Sequence, residues 1–279
     1  MSNRKSTWLA LVAMLAIGCG GDAGDDGADA TDEQQADAAP VVDPAVAATI
    51  SGTVTFTGTA PEPTPIDMSE EPVCADKHSE PPTSPSVKVS DGNLANVFVF
   101  VSEGLGDMSF PTSSDAVVLD QNGCLYHPHV LGIQTGQELT IRNSDDVLHN
   151  INTRSTDNRP FNISQPQAGM ESTRSFNTAE VMIPVGCDVH GWMSAFIGVT
   201  GHPYHAVTAD DGSFTIEGLP PGEYVIEAWH ETLGAQTMSV TVGEAETGAA
   251  DFTYDENAAY DPVPMTEPLI VSHDGHGAG

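Results

Sequence analysis

The sequence predicts an all-β protein built from two β-sandwiches. Residues 50–58 alternate apolar and polar side chains with the period of a half-buried strand, and they are rich in β-branched residues. Turn-forming pairs such as Asp91-Gly92 and Asn122-Gly123 separate segments of this kind. No stretch keeps a 3.6-residue apolar period, so we expect little helix.

The chain opens with a targeting signal. Arg4 and Lys5 precede an apolar run, residues 8–17, which is too short to span a bilayer as a mature helix. The run leads into Gly18-Cys19, which is typical of a lipoprotein signal peptide over residues 1–18 and predicts a lipid on Cys19. We expect an exported, lipid-anchored protein in the periplasm or at the cell surface, on the outer membrane of a Gram-negative bacterium. The alternative is an ordinary signal peptide and a soluble periplasmic protein.

Residues 19–48 predict a disordered, acidic tether that follows the lipidated cysteine. Gly, Ala, Asp and Gln dominate this stretch, it has no basic residue, and it offers almost nothing to bury. The whole chain has a formal net charge of −32, which excludes nucleic-acid binding through phosphate neutralisation. This charge favours a basic redox partner, and it leaves the N-terminal lipid as the only expected contact with a membrane.

Residues 49–200 predict the first sandwich domain. The apolar run at residues 96–101 is typical of a central strand. Further strands are predicted at residues 117–119, 129–133, 138–143 and 196–199. The Pro-rich residues 59–86 predict a long surface excursion.

A candidate metal site ends this domain. Cys187, His190 and Met193 are spaced three residues apart, so a thiol, an imidazole and a thioether can close around one ion from a single loop. His149, which follows a predicted strand, supplies a second imidazole. Two His and one Cys with a weak axial Met are the ligands of a blue-copper site.

These two segments resemble the cupredoxins, and the Cys-x-x-His-x-x-Met spacing resembles amicyanin in particular, although amicyanin-like loops carry Pro where this chain has Val189 and Gly191. The resemblance implies a Greek-key β-sandwich with one type 1 copper held by His149, Cys187, His190 and Met193. It also implies that Asn150 hydrogen-bonds across to the Cys loop, and that His190 lies at an exposed edge as the port for electrons. Proteins with this resemblance and a C-terminal extension are often labelled methylamine-utilisation proteins.

Electron transfer is the function that this resemblance implies, and no enzyme activity is expected. Copper oxidases and nitrite reductases need further His ligands, whereas Gly186 and Asp188 flank Cys187 here. The alternatives are a copper-binding chaperone or storage protein, and a structural or carbohydrate-binding protein of the cell surface.

Two cysteines have no role in the lipid or the metal site. Export implies an oxidising compartment, so we expect Cys74 and Cys124 to form a disulfide. The alternative is a second metal site that uses Cys124, His127 and His129.

Residues 201–254 predict a second, smaller sandwich. The segment from Asp211-Gly212 to Pro220-Pro221-Gly222 resembles the carboxypeptidase regulatory-like domain, which is grouped with carbohydrate-binding-like folds. A glycan is therefore a possible partner.

Several histidines near or beyond this segment could bind metal. They are His202, His205, His230, and the tail residues His273 and His276. For the first three, the other expectation is an interface between domains with Tyr204 and Trp229 packed in it, and for residues 255–279 it is a flexible tail.

Overall fold

The computed structural model describes residues 42–258, and this part of the chain is all-β as predicted. Its one helix is α1 (Pro72–Ala75), of four residues. The strands are β1 (Ala48–Thr57), β2 (Val89–Ser90), β3 (Asn93–Leu94), β4 (Phe98–Glu103), β5 (Val117–Asn122), β6 (Leu125–His127), β7 (Val130–Gln134), β8 (Leu139–Asn143), β9 (His149–Thr153), β10 (Asn162–Gln165), β11 (Met170–Arg174), β12 (Glu180–Gly186), β13 (Ser194–Thr200), β14 (His205–Val207), β15 (Ser213–Leu219), β16 (Gly222–His230), β17 (Gly234–Val242), β18 (Thr247–Ala249) and β19 (Phe252–Asp255).

Three predictions fall outside the described residues. They are the signal peptide at residues 1–18, the lipid on Cys19 with most of the tether, and the tail histidines His273 and His276. Within residues 42–258, no helix is long and apolar enough to cross a membrane.

The first sandwich consists of β5 to β13. One sheet has the order β10-β9-β12-β13-β7, and the facing sheet has the order β11-β8-β5-β6. Alternate residues of these strands point inward, as the burial of Leu139 and Ile141 in β8 illustrates. The core between the sheets includes Leu119, Ile133, Leu139, Ile141, Ile151, Ile183, Val185 and Ile197.

The second sandwich is built from both ends of the described chain. One of its sheets contains β15, β1, β3 and β2, with β18 and β19 also paired to β1, and the other has the order β14-β4-β16-β17. Its core includes Ile50, Val54, Val99, Val101, Ile216, Ile226, Phe252 and Tyr254.

This pairing corrects the predicted division between domains 49–200 and 201–254. We expected β1 and β4 in the first sandwich, but β1 pairs with β15, β18 and β19, and β4 pairs with β14 and β16. The period of a strand shows which of its faces is buried, but it does not show which strand lies beside it. The first sandwich is therefore an insertion between β4 and β14.

The two sandwiches pack through an aromatic contact. Phe98, Phe100 and Trp229 of the second sandwich are buried with Val130 and Phe196 of the first. Trp229 lies in this interface as expected, with its ring 5.3 Å from that of Phe196.

Tyr204 does not lie in that interface. It is buried in the core of the second sandwich, and its hydroxyl donates to the carbonyl of Gly218 at 3.1 Å.

Candidate metal centre

The predicted metal loop joins two neighbouring strands. β12 ends at Gly186 and β13 begins at Ser194, and these antiparallel strands pair up to the loop itself. Inside the loop, the amide of His190 donates to Cys187 Sγ at 3.4 Å, and the amide of Met193 donates to the carbonyl of His190 at 2.9 Å. These bonds fold the seven residues into a compact turn at the end of the sandwich.

His149 reaches this loop from the adjacent strand. It begins β9, which pairs with β12 on the side opposite β13. Asn152 of β9 is paired with Gly186 of β12. Because the two strands are antiparallel, the next residues of β12 enter the metal loop beside the residues of β9 that lead back to His149.

Three of the four predicted ligands present their donor atoms to one point. His149 Nδ1 lies 3.0 Å from His190 Nδ1, and His190 Nδ1 lies 3.8 Å from Cys187 Sγ. The ligand atoms of these three residues are all within 4.8 Å of one another. A nitrogen and a sulfur bonded to one ion at about 2.1 and 2.3 Å can be up to about 4.4 Å apart, so the separations of 3.0 and 3.8 Å fit a shared ion.

The site is enclosed by protein. His149 is fully buried, His190 is 2% exposed, and Cys187 is 7% exposed. Met193 is also buried, in the same core as Cys187. A thiol and two imidazoles in a dry setting form a donor set that suits copper.

Asn150 ties the two ligand segments together. Its Oδ1 accepts the amide of Asp188 at 2.7 Å and lies 3.2 Å from Cys187 Sγ. Its Nδ2 donates to the carboxylate of Asp188 at 2.9 Å. The side chain therefore spans from β9 to the start of the metal loop, which is the position that the sequence resemblance implied.

Asp145 is a residue of the site that the sequence analysis did not single out. His149 Nε2 donates to Asp145 Oδ2 at 2.9 Å, and the amides of Gly123 and Cys124 donate to the same carboxylate at 3.0 and 2.7 Å. The bond at Nε2 leaves Nδ1 of His149 to face Cys187 and His190. The signal was available: an Asp four residues before a predicted ligand His.

The electrostatics favour the metal-binding protonation states of Cys187 and His190, but not that of His149. Burial would raise the pKa of the Cys187 thiol, but its hydrogen bonds to His149 and to backbone amides lower that pKa below the ordinary value. Burial, reinforced by the neighbouring His149, lowers the pKa of His190. For His149, burial acts to lower the pKa, but Asp145 and Cys187 outweigh it and raise the pKa. A metal at Nδ1 of His149 must therefore compete with a proton.

The exposed position expected for His190 is wrong. The structure contains the predicted disulfide between Cys74 and Cys124, and Cys74 Sγ lies 3.7 Å from His190 Nε2. Trp192 flanks the same ring at a centroid distance of 5.2 Å and donates to the carbonyl of Cys124 at 3.0 Å. The disulfide and its helix α1 therefore cover the imidazole that we expected to meet solvent.

The alternative metal site at Cys124, His127 and His129 does not assemble. Cys124 is bonded to Cys74, His127 Nε2 lies 3.2 Å from the carbonyl of Asn122, and His129 contacts Glu231. His202, His205 and His230 are likewise absent from the groups of potential ligands in residues 42–258.

Comparison with known proteins identifies similar structures but no family. No protein-family model and no curated protein matches the chain. Solved structures similar to it include amicyanin, a purple cupredoxin and a copper-containing nitrite reductase.

Three of these structures show the extent of the likeness. A Cu(I) form of a mutant amicyanin is 18% identical, covering 30% of this chain and 82% of its own, at a TM-score of 0.28. A purple cupredoxin from Nitrosopumilus maritimus is 21% identical, covering 31% of this chain and 100% of its own, at a TM-score of 0.27. The copper-containing nitrite reductase of Thermus scotoductus SA-01 is 19% identical, at a TM-score of 0.29, and the match covers 34% of this chain and 24% of that one. This chain thus spans about a quarter of the reductase.

Proposed function

We propose that this protein is a type 1 copper electron carrier that cycles between Cu(II) and Cu(I). The observation that carries the proposal is the convergence of His149 Nδ1, His190 Nδ1 and Cys187 Sγ in a buried pocket. Met193, from the same loop, would be the fourth residue to hold the ion, through its thioether sulfur.

The chain's own residues would prepare the site for one soft ion. The lowered pKa of Cys187 favours the thiolate, which is the form that binds metal and gives a blue-copper site its colour. Asp145 holds His149 from behind, and Asn150 holds the start of the loop against β9. A site fixed in this way changes little between oxidation states, which an electron carrier requires.

An enzyme activity is not part of the proposal. Catalytic metal sites keep a position open for substrate or water. Here Trp192 and the disulfide lie against His190, and His149, Cys187 and His190 are each less than a tenth exposed. Electrons can cross such a barrier, whereas a substrate would need it to open.

The partner and the cellular location follow from charge and from the N-terminus. The net charge of −32 favours a redox partner with a basic docking surface. The sequence of residues 1–19 supports a lipid anchor on Cys19 and a place in the periplasm or at the cell surface.

The proposal is tested by the visible spectrum of the protein after addition of Cu(II), with Cys187→Ser alongside. We expect an intense blue absorption in the wild-type protein and its loss in Cys187→Ser. The matched control is His127→Gln, which removes an exposed histidine outside the site and should keep the colour.

A protein that stays colourless with Cu(II) would contradict the proposal. If that protein nevertheless bound Cu(I), a chaperone or storage role would replace it.

A further inference from the structure

A chain of hydrogen bonds links the second sandwich to the end of the metal loop. Glu231 directly follows β16, and its Oε1 lies 2.5 Å from His129 Nε2. On the other side of the same ring, His129 Nδ1 lies 3.0 Å from the carbonyl oxygen of Ser194. The His129 side chain is 6% exposed and that of Glu231 is 12% exposed, so little solvent competes for these contacts.

The direction of the bonds gives Glu231 a specific role. A carbonyl oxygen can only accept, so the proton must be on Nδ1 of His129 when it bonds to Ser194. The partner at Nε2 decides which nitrogen of a neutral imidazole carries its proton. Glu231 can bond to Nε2 in two arrangements. Its carboxylate accepts from a protonated Nε2, and its neutral carboxyl group donates to an Nε2 that carries no proton. In both arrangements Nδ1 keeps its proton and its contact with Ser194.

The backbone carbonyl of His129 and the ring packing around Phe196 also hold the start of β13. The amide of Phe196 donates to the carbonyl of His129 at 2.8 Å. The ring of Phe196 is packed between that of His129, at 5.7 Å, and that of Trp229, at 5.3 Å. The first residues of β13 are therefore fixed from the second sandwich through Trp229 and Glu231.

We propose that Glu231 and His129 are positioning residues of the metal centre. Ser194 immediately follows Met193, so holding the Ser194 carbonyl fixes the backbone that carries Met193. If Met193 holds the copper as proposed, its position would tune the potential of the site. The inference rests on the proposed copper function and gives the second sandwich a part in it: it is a rigid support for the metal loop.

The experiment compares Glu231→Leu, which keeps the bulk of the side chain but cannot hydrogen-bond, with Glu231→Gln, whose amide can still serve His129 Nε2. Glu223→Gln is the matched control, because Glu223 is an exposed residue of β16, the strand that Glu231 follows. Hydrogen exchange of the amides at residues 193–197 is measured in the metal-free proteins, and the reduction potential is measured after copper loading.

We expect exchange at residues 193–197 to become about tenfold faster in Glu231→Leu, which corresponds to the loss of about one hydrogen bond. The amides of β8 should exchange as before, and the reduction potential should shift. Glu231→Gln should restore both quantities, and Glu223→Gln should change neither. If Glu231→Leu does not fold, His129→Phe replaces it, since it keeps an aromatic ring but has no donor.

Unchanged exchange and an unchanged potential in Glu231→Leu would overturn the inference. The inference would also be overturned if Glu231→Leu changed the exchange rates and the potential but Glu231→Gln did not restore them. A wild-type protein that does not take up copper would contradict the proposed function instead, and the exchange measurement would still decide whether Glu231 holds the loop.

Discussion

At the scale of single residues, Asp145 illustrates how the site depends on groups behind the ligands. It accepts hydrogen bonds from His149 and two backbone amides, and its Oδ1 lies 3.2 Å from Lys77 Nζ. Burial alone would raise the pKa of Asp145, but these partners hold it well below the ordinary value of 3.8. The carboxylate is therefore charged in the folded protein at any ordinary pH.

The variant Asp145→Asn should weaken the site and the fold together. The free energy of unfolding should fall by about 1.5–3 kcal/mol, because hydrogen bonds to a charged group are lost. Metal affinity, measured by competition with a chelator, should fall about 10- to 100-fold, as is usual when the partner of a ligand His is removed. Asp146→Asn is the matched control, because Asp146 also pairs with Lys77 but its side chain is 76% exposed.

The wild-type protein and Asp145→Asn should also differ in how their stability depends on pH. The folded-state pKa of Asp145 is lowered. Its contribution to the free energy of unfolding is therefore fully present above the unfolded pKa of 3.8 and is lost as the pH falls through the folded pKa. The difference in unfolding free energy between wild type and Asp145→Asn should therefore be constant near neutral pH and shrink below about pH 4. A difference that grows on acidification would contradict this account.

Residue patterns in the sequence predicted that His149, Cys187 and His190 lie together, but they did not predict all of the surroundings of these residues. The spacing of Cys187, His190 and Met193 places them in one loop, and His149 reaches that loop because it begins β9, which pairs with β12. The burial of His190 could not be predicted, since it depends on where the disulfide-linked segment lies in space. Sequence separation alone carries no such information.

At the scale of elements, the segment around α1 acts as a cap on the metal centre. Cys74 of this helix is bonded to Cys124 across a separation of 50 residues, with a Cα–Cα distance of 5.6 Å. Val73, next to it, is exposed, whereas Cys74 itself is buried against His190. The helix thus separates the imidazole from solvent.

Removing the disulfide in Cys74→Ser/Cys124→Ser should open this cap. The free energy of unfolding, measured in urea, should fall by about 4 kcal/mol in the chain-entropy account of a loop of this length. His190 should become reactive toward diethyl pyrocarbonate, while the exposed His127 reacts equally in both proteins and serves as the reference. Equal protection of His190 with and without the disulfide would show that other groups bury it.

The contact between the sandwiches depends on two glycines in neighbouring strands. Gly132 of β7 and Gly198 of β13 are register partners, and a Cβ on Gly198 would lie 2.5 Å from the ring of Phe98. Glycine inside a strand often marks such a close approach, so the sequence did contain this signal.

Gly198→Ala should therefore destabilise the protein by about 1–3 kcal/mol through overpacking. Gly201→Ala is the control, because a Cβ there would meet no atom within 4 Å. Thermal unfolding of both variants measures the difference, and equal stability of the two would contradict the close packing of Phe98.

At the scale of the whole molecule, the chain order and the spatial order differ. The second sandwich takes β1 to β4 from one side of the insertion and β14 to β19 from the other. The all-β class and the positions of six strands followed from local pattern, namely β1, β4, β5, β7, β8 and β13. The partners of β1 and β4 did not, because pairing across such a long insertion leaves no local trace.

A chain that ends at Thr200 should therefore not fold into one intact domain. Without β14 to β19, β1 loses three partners and β4 loses two, which exposes the apolar residues of both strands. We expect aggregation or a non-cooperative transition in thermal unfolding. A cooperative transition at the temperature of the full-length chain would contradict the inserted arrangement.

The central claim is that His149, Cys187 and His190 bind a single copper ion. X-ray absorption of the copper-loaded protein tests it most directly, because it measures the atoms around the metal. We predict one sulfur at about 2.2–2.3 Å and two imidazole nitrogens at about 2.0 Å, values close to those of other thiolate and imidazole sites. A copper surrounded only by nitrogen and oxygen would contradict the account, since Cys187 would then not be a ligand.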